Sequence, residues 1–92
     1  MGVRKNKELR ETRFNEDLGL TVRLRRREQR MSAAILATRL GISKVTLWKY
    51  ESGQCAMSLF MVLRCASIFG VTLASLAGPA LTKGNIASHE GS

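Results

Sequence analysis

A single proline, a single histidine, two cysteines and few aromatic residues leave this chain short of what most enzymes, metal centres and β-sheets require. No alternating runs of β-branched residues occur, so the expected class is all-α. Catalysis needs convergent acid, base or nucleophile groups, yet His89 stands in a C-terminal stretch without periodicity, and the seven acids suit caps and ion pairs. A non-enzyme is expected, with no cofactor and no metal. Cys55 and Cys65 are isolated, with no Cys-x-x-Cys and no neighbouring histidine, which argues against a zinc site or a disulfide framework. Cys65 is expected to pack as a small hydrophobe. The longest apolar stretch, Val71 to Leu81, contains Gly78 and Pro79 and is too short to span a bilayer. The charged N-terminus has no apolar segment behind it, as a secretion signal would, and the expected setting is cytoplasmic, in a bacterium or phage.

What the chain does have is positive charge: 15 Lys and Arg against 7 Asp and Glu, a net +8 over 92 residues. A surface this basic favours a polyanion through counterion release. DNA, RNA and an anionic membrane all qualify; the broken apolar stretch weakens the membrane reading, and the glycine-aromatic strand signature of RNA-binding modules is absent. A helical core of about sixty residues buries only about 60% of its unfolded surface and is marginal alone, so dimerisation would help.

The informative stretch runs from Ser32 to Gly53, two short amphipathic helices around a tight turn. Gly41 can end the first in the left-handed conformation at little steric cost. Ser32 and Ser43 each offer an oxygen to the exposed amides of the helix that follows. Ile35, Leu36, Ala37 and Leu40 repeat at helical spacing in the first helix; in the second, Val45 or Leu47 turns inward with Tyr50. Lys44, Thr46 and Lys49 then face outward, where Lys can donate to guanine O6/N7 and Thr can meet a thymine methyl. The plainer alternative is a solvated helix face, since many helices carry lysines.

Val22-Arg23 through Arg26, Ser32, Leu36-Ala37, Leu40-Gly41-Ile42-Ser43, Leu47 and Tyr50-Glu51-Ser52-Gly53 together resemble the helix-turn-helix domain of the phage repressor and Cro (XRE-type) family, over about residues 16 to 77. The resemblance implies a five-helix repressor-like domain with one helix from about Ser32 to Arg39 across the DNA backbone and a recognition helix from about Ser43 to Glu51 in the major groove. It places Lys44, Val45 and Lys49 at base edges, with Thr46 at a phosphate or base edge. Glu51 resembles the family's structural acid, whose arginine partner is by spacing Arg26, with Arg25 and Arg27 adjacent. Ser32, Ser43, Arg10, Arg13, Arg27 and Arg30 are the expected backbone contacts. Four positions depart from the pattern: Ala33 replaces a Gln that touches a phosphate, Arg25 stands where a Leu often precedes the helix-one arginine, Arg30 replaces a Gly before the second helix, and Ser58 caps the fourth helix in place of a Pro.

Outside the motif, Asp17 to about Gln29 is expected to form the first helix, with Asn15 as its cap. Leu20 and Leu24 fall on the side away from Leu18 and Val22, and a segment carrying Leu9 and Phe14 could fold back over them. Residues 1–15 form a basic arm, either a solvated tail or a groove contact. Ser58 to Phe69 is expected as a fourth helix and Leu73 to Ala77 as a short fifth, stopped by Gly78-Pro79. Beyond it, residues 78–92 form a flexible tail. In relatives this region closes the core and supplies the two-fold contact, which implies Leu73, Leu76 and Leu81 as dimer residues; otherwise they are core. The expected function is a homodimeric transcriptional regulator, a repressor, on an inverted-repeat operator in double-stranded DNA. A DNA-binding antitoxin with a protein partner, or a restriction-modification controller, fits the same size and architecture.

Overall fold

The computed structural model describes the backbone of residues 2–90 and the side chains of residues 9–82. Five helices follow in order, α1 (Gly2–Glu28), α2 (Ala33–Leu40), α3 (Lys44–Glu51), α4 (Leu59–Phe69) and α5 (Leu73–Glu90), and no strand occurs among the described residues. The all-α expectation is met.

Hydroxyl side chains start four of these helices. Ser32, Ser43 and Ser58 accept from the amides of Ile35, Thr46 and Met61 at 3.1 Å, and Thr72 accepts from Ser75 at 3.0 Å. Each satisfies one amide that a helix start leaves without an internal partner. Gly41 closes α2 at φ 74°, its N–H returning to Thr38 at 3.1 Å, so the chain reverses within the three residues Gly41 to Ser43.

The core lies where one face of each helix converges. α1 runs along α5 and across α3, α2 packs on α3 and α4, and α4 closes on α5. Val22, Leu36, Leu47, Cys65 and Leu76 are fully buried at its centre. Gln29 ties the end of α1 to the end of α4, its Nε2 donating to the Phe69 carbonyl at 2.8 Å.

Both terminal helices run past their expected limits. α1 begins at Gly2 rather than near Asp17, and Asn15 lies inside it. The reason is local: Val3 to Leu18 contains no Gly or Pro, and its Lys, Glu, Arg and Leu residues favour helix. A continuous helix also overturns the idea that the N-terminal segment folds back over α1, because Leu9 remains 54% exposed and, among the described residues, contact with the core begins at Phe14. α5 passes through Gly78 and Pro79, and the backbone is helical to Glu90 where a flexible tail was expected. Pro79 removes the amide that would bond to Ser75, a loss of about 3 kcal/mol in an open helix. Leu76 and Ala80 are buried on either side of it, so packing holds the helix onto the core through the proline. The side chains of Arg4, Lys5, Lys7 and His89 lie outside the described residues.

Candidate nucleic-acid interface

Only one side chain of α3 is fully buried, Leu47; Val45 is 63% exposed and Trp48 57%. Of the two inward candidates it is therefore Leu47 that anchors the helix. Lys44 and Lys49 are exposed beside Val45, while Thr46 and Tyr50 are half-buried. Thr46 is tied to the cap: Ser43 Oγ donates to Thr46 Oγ1 at 3.0 Å and accepts from the Thr46 amide at 3.1 Å. The Ser43 proton is thus engaged within the chain. Ser32 Oγ accepts from Ile35, and its own proton has no acceptor among the described residues.

The end of α3 is fixed to α1 by a two-point ion pair. Arg26 Nε donates to Glu51 Oε2 at 2.8 Å and Arg26 Nη2 to Oε1 at 3.0 Å, and the two side chains are only 11% and 8% exposed. Arg26 Nη1 donates to the Met31 carbonyl at 3.0 Å, so one guanidinium joins α1, the turn before α2, and α3. Its hydrogen bonds to Glu51 raise the Arg26 pKa against the opposing effect of burial, so the pair stays charged. Such a planar fork suits a bidentate carboxylate in a way that Lys would not.

The three consecutive arginines divide by the angle of the helix. Arg25 turns to α5, where Nη2 donates to Ser75 Oγ at 2.9 Å, and Nη1 lies 3.9 Å from Glu28. Arg26 is buried and Arg27 points to solvent. Arg30 is exposed in the turn with φ 54°, so the left-handed position is filled by an arginine. Arg10 and Arg13 are exposed on the first part of α1, ahead of its contact with the core.

Among the expected dimer residues, Leu76 is a core side chain with no exposure, and the structure removes it from any surface role. Leu73 is 38% exposed and Leu81 55%. No group of His, Cys, Asp and Glu able to hold a metal occurs among the described residues, and no described helix is long and apolar enough to cross a membrane.

Two residues of this face were given no site role by the sequence, Trp48 and Arg23. Trp48 follows Lys44 by four residues and so shares its face. Arg23, three residues before Arg26, is exposed and faces the α2–α3 side of α1.

Comparison with curated proteins gives no match, and comparison with solved structures gives none either. A family model described as a helix-turn-helix domain matches residues 17–77, about two thirds of the chain. The matched span takes in both helices around Gly41, the Arg26–Glu51 pair that braces them, and all of α4. The chain belongs to the helix-turn-helix domain family.

Proposed function

We propose that this protein is a sequence-specific transcriptional regulator, acting as a repressor, that binds an inverted repeat as a homodimer with α3 in the major groove. The observation that carries it is the face of α3: braced at one end by Arg26–Glu51 and rooted by Leu47, it turns Val45 and Lys49 outward with no side-chain partner among the described residues. Val45 would meet a thymine methyl and Lys49 a guanine edge, each good contact contributing about 1–3 kcal/mol of discrimination. Lys44 and Thr46 border that face. Arg27, Arg30, Ser32 and, along α1, Arg10 and Arg13 would meet phosphates, which fix position without reading sequence.

Exposed Leu73 and Leu81 favour a two-fold contact through α5. Two-fold symmetry would set the recognition helices about 34 Å apart, in successive major grooves. Residues 2–15 act as a basic helical arm on the duplex, and residues 78–90 extend the dimerising helix.

Selection of bound sequences from a random duplex pool tests the proposal. An enriched palindrome is expected; salt-sensitive binding without a preferred sequence would reduce the protein to a non-specific basic binder.

A further inference from the structure

Between α1, α2 and α3 lies an open notch of about 180 Å³, with Arg23 from α1, Ala33 from α2, and Lys44, Leu47, Trp48 and Glu51 from α3 on its walls. Three of these surfaces are apolar, the Ala33 methyl, Leu47 and the indole of Trp48. The two cations Arg23 and Lys44 are exposed and have no ion-pair partner among the described residues. Glu51 does not repel an anion there, because both of its oxygens accept from Arg26. An apolar wall beside two free cations suits a ligand that is anionic at one end and carbon-rich at the other.

We infer that the notch seats one deoxyribose-phosphate unit of the DNA backbone, with Arg23 and Lys44 holding the phosphate and the sugar packed between Ala33 and Trp48. The inference rests on the DNA-binding role proposed above and adds a consequence to it. Lys44, although on the recognition helix, clamps backbone and reads no base, so sequence discrimination rests on the residues beyond it. Ala33 matters for its size, since a longer side chain at that position would occupy the space the sugar needs. Trp48 contributes carbon surface in a place where an exposed indole otherwise gains nothing from water.

The chain has one tryptophan, so its emission reports on this notch alone. Titrating the full chain with a short mixed-sequence duplex, followed in parallel by Trp48 emission and by the anisotropy of labelled DNA, should give one shared binding curve. Inorganic phosphate at matched concentration should leave the emission unchanged. Arg23→Ala, at an exposed position, should lower affinity evenly across sequences and reduce the salt slope by about 0.9, which is about eightfold at 0.1 M salt. Ala33→Leu, checked for an intact thermal transition, should weaken binding by a similar factor. Lys44→Ala should behave like Arg23→Ala and leave the selected sequence unchanged.

DNA binding with unaltered Trp48 emission and with both Arg23→Ala and Ala33→Leu at wild-type affinity would overturn the inference while leaving the DNA-binding role intact. Saturable quenching by inorganic phosphate alone would overturn it in favour of a free-anion site. No binding to any duplex would overturn both.

Discussion

Gly19 in α1 lies against the main chain of Tyr50 at the end of α3, so close that a Cβ on it would collide with the Tyr50 and Glu51 carbonyl oxygens. The approach sets the angle at which α3 leaves the body of the protein. In an exposed helix Gly→Ala is favourable by about 1 kcal/mol. Here the sign reverses, because the obstacle is backbone and cannot rotate away. Gly19→Ala should cost about 2–3 kcal/mol, and thermal melts should shift down by roughly 10 °C or more. A neutral or stabilising effect would mean that α3 is free to move away from α1.

The Arg26–Glu51 pair should show strong non-additivity. Removing one member leaves a charge with little water access, so Arg26→Met and Glu51→Leu should each cost about 3–5 kcal/mol in denaturant unfolding. Combined, they replace a buried ion pair by apolar side chains. The double variant should recover most of either loss, and a sum of the two single costs would argue that the pair does not act as a unit.

Arg30 occupies a left-handed backbone conformation that costs a side-chain-bearing residue about 1–2 kcal/mol. Arg30→Gly relieves that strain and gives back part of the gain through a freer unfolded chain. Net stabilisation of up to about 1 kcal/mol is expected by thermal melting. If Arg30 holds a phosphate, the same variant should bind DNA less tightly, so stability and affinity move in opposite directions.

The two thiols should differ sharply. Cys55 is exposed and Cys65 is buried, with burial and the Glu51 charge pushing the Cys65 thiol up to about 11 from its ordinary 9.0. A thiol reagent at neutral pH should label Cys55 quickly and Cys65 only when the chain opens. Because the folded chain holds the Cys65 proton more tightly than the unfolded chain, this group's contribution is intact below about pH 9 and is lost as pH rises toward about 11. Two pH units correspond to about 2–3 kcal/mol. Stability measured across that window should fall less steeply in Cys65→Ala than in the native chain.

Base readers and phosphate holders should separate by mutation. Lys49→Ala should relax the selected sequence at one position per half-site. Arg10→Ala should lower affinity evenly and reduce the salt slope by about one. If the two variants behave alike in selection and in salt titration, the division between α3 and the arm along α1 fails.

Much of the motif was legible because its signals are local. Ser32, Ser43, Ser58 and Thr72 cap helices through bonds that reach three residues along the chain, and Gly41 ends α2 through its own backbone angle. The family resemblance implied an arginine partner for Glu51, and spacing from Ser32 put it at Arg26 with Arg25 and Arg27 still open beside it. Where local signals were followed too far they misled: Asn15 does not start a helix and Gly78-Pro79 does not end one. In both places the neighbouring residues and the packing outweigh one residue's preference.

Other features depend on atoms far apart in the chain. Which of three consecutive arginines is buried is a matter of helix rotation against α3, and Arg25 finds Ser75 fifty residues away. Leu73 and Leu76 look alike in the sequence, and only the closure of α5 over α1 and α4 makes one a surface residue and the other core. Gly19 shows no need for glycine until the end of α3 is laid against it.

The sequence alone settles an all-helical chain, two capped helices around Gly41, a basic surface and the outward lysines of the second helix, with Val45 and Leu47 both open as its inward anchor. Those follow from side chain-to-backbone bonds and periodicity within a few residues. The tertiary structure decides that Arg26 is the arginine joining α1 to α3, that Leu76 belongs to the core, and that Ala33, Arg23 and Trp48 enclose a notch. These are properties of surfaces brought together by packing, and a surface shared by three helices has no counterpart in the order of residues along any one of them.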